Sequence, residues 1–169
     1  YFEKKNFNII ILDKTSKKDF KKNYKKIKKN IFYFETDLLE IKKTEKKIQQ
    51  IISKFKTIDI LINCAGIQYI SKIENFPTNE WRKVIDINLT SSFITSKNII
   101  PVMKKNNSGR IINISSVHGL VASENKSAYV ASKHGLIGLT KAIALELSKT
   151  KITCNAISPG WVLTPLVEK

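Results

Sequence analysis

The chain has 169 residues, enough for one domain with a real core, and it contains no run of about 18 apolar residues that would read as a membrane span. Its net charge is +16, yet Lys, Ile and Asn make up 69 of the 169 residues and no aromatic-and-basic recognition motif accompanies the lysines, so the charge reads as solvated faces and not as a nucleic-acid interface. Two cysteines, Cys64 and Cys154, exclude a disulfide framework and suit a reducing cytoplasm; each lies in or beside an apolar strand, where a small buried thiol is expected.

In chain order, the run Phe7-Asn-Ile-Ile-Ile-Leu12 ends at Asp13 as a parallel strand would. The lysine-rich stretch over 14–29 predicts an amphipathic helix with Phe20, Tyr24 and Ile27 inward and lysines in water. A strand at 31–35 follows, then a helix through Ile41, Ile48, Ile51 and Phe55, and a strand at 58–63. A long helix is predicted from about Trp81 to Lys104, a strand immediately before Ser116, a helix carrying Tyr129 onward through Ala142, Leu145 and Leu147, and a strand at 152–157. Strands alternating with helices, without repeats or linkers, predict a single α/β domain whose parallel sheet is covered on both faces.

Ser116, Tyr129 and Lys133 stand in the pattern Ser-x12-Tyr-x3-Lys. Ser116 closes the β-branched run Arg110-Ile-Ile-Asn-Ile-Ser-Ser116, and Tyr129 and Lys133, four apart, share one helix face. A free tyrosine has a pKa near ~10, and a cation within a few ångströms favours its charged form. Lys133 is placed to supply that charge, which suits a phenol to exchange a proton with a substrate hydroxyl. A serine hydroxyl beside it can hold the same oxygen as charge develops there. Nucleophilic serine chemistry is not indicated, because neither His118 nor His134 belongs to a Gly-x-Ser-x-Gly elbow.

With these residues in that order the chain resembles the short-chain dehydrogenase/reductase family. Asn63-Cys-Ala-Gly66 matches the family's Asn-Asn-Ala-Gly turn with Cys64 in place of the second Asn, and Asn88 in Asp86-Ile-Asn-Leu-Thr90 matches its helix asparagine. Pro159-Gly160 matches the turn beside the nicotinamide. The resemblance implies a Rossmann-type doubly wound parallel sheet and a catalytic set of Asn88, Ser116, Tyr129 and Lys133, with Asn88 holding a proton-relay water against the lysine. It also implies that this sequence lacks the family's N-terminal glycine-rich βα unit and its C-terminal substrate lid. The first glycine is Gly66, so the chain alone is expected to hold cofactor poorly and to be inactive.

Asp13, at a strand's carboxyl end, is placed to accept hydrogen bonds from the adenosine ribose and to repel a 2′-phosphate, which favours NAD. Its alternative role is to cap the following helix, and Lys14 beside it is a cation that could accept a phosphate. By resemblance Asp37 and Leu38 contact the adenine and Asn63, Ala65 and Gly66 line the ribose. Tyr129 and Lys133 are shared with the catalytic set, and Pro159, Gly160, Val162 and Thr164 meet the nicotinamide end.

The stretches Ser115–Ala122, Lys126–Val130, Lys133–Lys141 and Thr153–Ile157 are similar to the bacterial 3-hydroxybutyrate dehydrogenase branch of the family. That implies NAD-dependent interconversion of (R)-3-hydroxybutyrate and acetoacetate, with Gln68, His118 and Lys126 gripping the substrate carboxylate beside Ser116 and Tyr129. Two other readings are open: an NADPH-dependent 3-oxoacyl-carrier-protein reductase, and a non-catalytic remnant of the fold. Kinship further implies a cytoplasmic homotetramer packed through the long helix after Trp81 and the Tyr129 helix. Ala131, Gly135, Gly138 and Ala142 suit that packing or burial against the chain's own sheet.

Overall fold

The structure, a computed structural model, describes residues 7–24 and 28–162. Five parallel strands carry the fold: β1 (Ile9–Asp13), β2 (Ile31–Glu35), β3 (Ile60–Asn63), β4 (Gly109–Ile114) and β5 (Ile152–Ile157). Helices α1 (Lys17–Asn23), α2 (Ile41–Phe55), α3 (Thr78–Ile85), α4 (Ser91–Lys105) and α5 (Ser127–Glu146) alternate with them. β1 pairs with β2, and β4 lies between β3 and β5. Among the described residues these are two sheets, of two and three strands, with no hydrogen-bonded ladder between β1 and β3.

Helices cover both faces of the first sheet. Phe32 and Tyr33 are neighbours on β2 and so point to opposite faces. Tyr33 stacks on Phe20 of α1 at 3.9 Å between ring centroids, and Phe32 meets Phe55 of α2 edge-on at 4.8 Å. In the second sheet the inward residues Ile111, Ile152 and Cys154 pack with Ile48 of α2, Ile99 and Met103 of α4, and Ile143 and Leu147 at the end of α5. Leu12 of β1 also packs against this cluster, so the two sheets share one core. The outward face of the second sheet is less covered: Ile112 and Ile114 are half-buried, and Ile62, Arg110, Thr153, Asn155 and Ile157 are exposed.

Several expectations are corrected. The lysine-rich helix is only Lys17–Asn23; Phe20 is buried, but Tyr24 caps the helix end and is 61% exposed, and Ile27 lies outside the described residues. The long helix begins at Thr78 and is two helices joined by a wide π turn, Asp86–Thr90, that carries Asn88. Cys154 is buried as expected, whereas Cys64 is exposed, because the chain leaves β3 at Asn63 and the next residue is already in the turn. Among the described residues no helix is long and apolar enough to cross a membrane.

Candidate active site

The residues singled out from sequence gather along the carboxyl ends of the strands, where open parallel sheets bind ligands. Asp13 ends β1, Asp37 and Leu38 follow β2, and Asn63, Ala65, Gly66 and Gln68 end or follow β3. Ser116 and His118 follow β4; Pro159, Gly160 and Val162 follow β5. Lys126 caps the N-terminus of α5, which carries Tyr129 and Lys133 across this rim. Thr164 lies outside the described residues.

Lys133 is the most constrained of the set. Only 4% exposed, it donates from Nζ to the Ile114 carbonyl at 2.8 Å, with the ammonium 5.6 Å from the centroid of the Tyr129 ring. Burial pushes its pKa down to about 8, opposed in part by the nearby Cys64 thiol, so the group remains mostly ammonium at neutral pH. Ser115 Oγ donates to the Lys133 carbonyl at 3.1 Å, which ties α5 to the end of β4. Ser116, buried, accepts the His118 N–H on Oγ at 3.2 Å and caps the short 3₁₀ turn Val117–Gly119. That turn presents the His118 ring to Tyr129 edge-on, 6.1 Å between centroids. Ser116, His118, Tyr129 and Lys133 thus come together.

His118 has its pKa lowered, first by burial and second by the charge of Lys126, so it stands here as a neutral donor and Lys126 as the charged group. Lys126 Nζ lies 5.6 Å from the centroid of the Trp161 ring, a cation–π contact. Trp161, 82% exposed, was not marked by sequence reasoning; a large aromatic directly after Pro159-Gly160 was the available signal. Gln68 is half-buried in the loop after β3.

Asn88 is fully buried and works as a strut. Its Oδ1 accepts Ile67 N–H at 2.8 Å, and its Nδ2 donates to the Ile67 carbonyl at 2.9 Å and to Ser132 Oγ at 3.0 Å. Ser132 Oγ in turn donates to the Tyr129 carbonyl at 2.7 Å. The loop after β3 is therefore locked through one amide to the turn of α5 that carries Tyr129 and Lys133. A second buried chain crosses the sheet beneath it. Thr95 donates to Asn63 Oδ1 at 2.7 Å, Asn63 Nδ2 to Asn113 Oδ1 at 2.8 Å, and Asn113 Nδ2 to Thr140 Oγ1 at 2.8 Å. The Asn63 side chain is thus committed to the sheet interior. Asn113 and Thr140 were not marked by sequence reasoning, although a lone Asn inside a β-branched strand was a signal.

At the far end of the rim, Asp13 accepts the Thr15 N–H on Oδ1 at 2.7 Å. It is not the cap of α1: Ser16 holds that place, accepting the Asp19 N–H at 3.1 Å. The carboxylate of Asp13 stays exposed. Asp37 folds its Oδ1 onto the Leu39 N–H at 3.0 Å, and its carbonyl accepts the Thr44 hydroxyl at 3.1 Å.

The family model for short chain dehydrogenases matches residues 1–169. The chain belongs to this family. It is 52% identical over 137 residues to the D-beta-hydroxybutyrate dehydrogenase of Cupriavidus necator, covering 81% of this chain and 53% of that protein. To the D-beta-hydroxybutyrate dehydrogenase of Rhizobium meliloti it is 50% identical over 139 residues, 82% of this chain and 54% of that one. The chain therefore spans about half the length of these curated relatives. Among solved structures, a 4-hydroxyisoleucine dehydrogenase mutant complexed with NADH and succinate is similar at a TM-score of 0.91 and 38% identity, covering 99% of this chain and 69% of that one. Family membership and this likeness show the Rossmann-like fold of the short chain dehydrogenases.

Proposed function

We propose that the full-length protein oxidises (R)-3-hydroxybutyrate to acetoacetate with NAD, reversibly. The observation that carries this reading is that Ser116, Lys126 and Tyr129 each meet His118, on a chain that is 52% identical to a D-beta-hydroxybutyrate dehydrogenase. The residues present fit a nicotinamide dinucleotide at its two ends. An exposed carboxylate at β1 suits ribose hydroxyls, and the open turn at Gly160, where an added Cβ would meet nothing within 4 Å, leaves room beside the catalytic pair. Asp13, Asp37 and Leu38 would hold the adenosine, the backbone of Asn63–Gly66 the ribose, and Pro159, Gly160, Val162 and Thr164 the nicotinamide.

The bound nicotinamide supplies the acceptor for the hydride leaving C3 of the hydroxy acid. Tyr129 takes the hydroxyl proton on its phenol oxygen while Ser116 Oγ holds the substrate oxygen. Lys133 places positive charge beside the phenol and anchors the nicotinamide ribose. Both amide hydrogens of Asn88 are committed, so it has only acceptor oxygens with which to hold the water that passes the proton outward. Lys126 neutralises the substrate carboxylate, and His118 and Gln68 orient it.

In this reading the chain is one incomplete domain of a cytoplasmic homotetramer. Gly135 already meets the chain's own Leu89, where an added Cβ would lie 2.7 Å from Cδ2, whereas Gly138 is open and Leu145 is 76% exposed, which leaves α5 a face for a second copy. The test is a Lys126→Ala variant assayed with (R)-3-hydroxybutyrate and with its methyl ester. A large rise in KM for the acid alone is expected; equal effects on acid and ester would refute the carboxylate grip and favour a reductase of larger, uncharged ketones.

A further inference from the structure

Tyr33 stands across β2 from the loop that leaves β1, and its hydroxyl meets two main-chain carbonyls there, Asp13 O at 3.2 Å and Thr15 O at a shorter distance. The same loop is held by three further bonds. Asp13 Oδ1 accepts the Thr15 N–H at 2.7 Å, Asp13 O accepts the Thr36 N–H at 2.8 Å, and Glu35 Oε2 accepts the Lys17 N–H at 3.1 Å. The Tyr33 ring is fixed from the other side by stacking on Phe20, which is itself buried. The phenol thus holds the main chain on both sides of Lys14, and the Thr15 N–H holds the Asp13 carboxylate.

We propose that Tyr33 is a positioning residue for dinucleotide choice, holding the Asp13–Thr15 loop so that Asp13 faces the adenosine ribose and a 2′-phosphate is refused. This rests on the reading of Asp13 as the ribose acceptor. The sign of the effect follows from the geometry. With the clamp gone, the carboxylate loses both its fixed approach to the two ribose hydroxyls and its fixed repulsion of a phosphate. Lys14 gains freedom to approach that phosphate. NAD affinity should fall while NADP affinity holds or rises. Burial and the neighbouring Asp13 and Glu35 carboxylates raise the Tyr33 pKa, so the hydroxyl keeps its proton and remains a donor at working pH.

The experiment measures dissociation constants for NAD and for NADP by calorimetric titration of the full-length protein, together with its melting temperature. The variants are Tyr33→Phe, Asp13→Asn and the pair. Tyr33→Phe keeps the ring against Phe20 and is expected to weaken NAD binding roughly three- to tenfold, the value of one or two hydrogen bonds, without weakening NADP binding equally. In the Asp13→Asn background the second change should leave the NAD/NADP ratio where Asp13→Asn alone puts it. If Asp13→Asn collapses the ratio while Tyr33→Phe leaves it at the wild-type value, the Asp13 reading stands and the role of Tyr33 is overturned. If Asp13→Asn leaves the ratio unchanged, both are overturned. A Tyr33→Phe protein that melts far lower and loses both dinucleotides in equal proportion would reduce Tyr33 to a structural residue and overturn the proposal.

Discussion

The ammonium of Lys133 donates to the carbonyl of Ile114 at 2.8 Å, so α5 is latched to the end of β4, just before Ser116, by the side chain that the proposed mechanism uses. This placement is costly. A lysine that is 4% exposed, with its pKa depressed to about 8 from 10.5, binds fewer protons in the folded chain than in the unfolded chain between those values. Stability from this group is therefore greatest above pH 10.5 and is lost as pH falls through about 8.

It follows that the protein should gain stability between pH 8 and pH 10, by up to about 3 kcal/mol from this residue. Lys133→Met should remove that slope in urea titrations at a series of pH values. It should also leave stability at pH 7 unchanged or higher, because the lost bond to Ile114 offsets only about 1 kcal/mol. A steep loss of stability at pH 7 in the variant would show the lysine to be a structural asset.

Tyr129→Phe removes the acid/base of the proposed mechanism and leaves the bond from Ser132 in place, since Ser132 bonds the Tyr129 carbonyl and not its hydroxyl. Turnover of the full-length enzyme should fall by at least about a hundredfold with the melting temperature unchanged. Appreciable activity in this variant would sink the mechanism.

Gly119 sits where an added Cβ would lie 2.6 Å from Ser115 Oγ and 2.8 Å from the Lys133 backbone carbonyl. A hydroxyl can turn aside, but a helix backbone cannot. Gly119→Ala should therefore cost about 1–3 kcal/mol and shift Lys133 relative to Ser116, lowering kcat as well as stability. Wild-type kcat in a normally stable variant would argue that the turn has room that the structure does not show.

His118 should titrate below its ordinary value near 6.5, as read from its ring proton shifts. In Lys126→Ala the midpoint should rise without fully recovering, because burial is the larger cause and the Lys126 charge the smaller. No change would separate the two residues and weaken the shared carboxylate site.

The buried chain Thr95–Asn63–Asn113–Thr140 gives a further check. Asn113→Ala removes one bond each from the Asn63 amide nitrogen and from Thr140 Oγ1, which keep Thr95, Ser96 and Leu136 as partners, and should cost about 1–3 kcal/mol. The Asn63→Ala, Asn113→Ala double variant should cost less than the two losses added, a coupling readable by a double-mutant cycle.

Most of the fold was legible because the apolar runs are short, β-branched and separated by helical spacing. The strands at 31–35 and 152–157 fall where the pattern placed them, with β2 at Ile31–Glu35 and β5 at Ile152–Ile157. The long helix after Trp81 was not legible in detail. Its apolar spacing runs on through Asp86–Thr90, while the π turn there is set by burial of Asn88 against Ile67 and Ser132, contacts distant in sequence. The lysine-rich segment was over-read for a related reason: helical periodicity marks which face is apolar, yet Phe20 is buried against Tyr33 while Tyr24, which touches the Phe20 ring, stays exposed. Cys64 was misread because an apolar strand ending at Asn63 says nothing about the turn that follows. That Ser116, Tyr129 and Lys133 share one region could be read from their spacing, and Ser116 and Tyr129 both meet His118 while Lys133 lies over the Tyr129 ring. The struts that position them, Ser115, Ser132, Asn113 and Thr140, carry no motif and emerge only when the chain is folded.

The most direct test follows NADH absorbance after NAD and (R)-3-hydroxybutyrate are added to the full-length protein. The account predicts steady NADH formation that is lost in Tyr129→Phe and needs far more substrate in Lys126→Ala. A folded, NAD-binding protein that forms no NADH from this hydroxy acid would contradict the assignment while leaving the family and its fold in place.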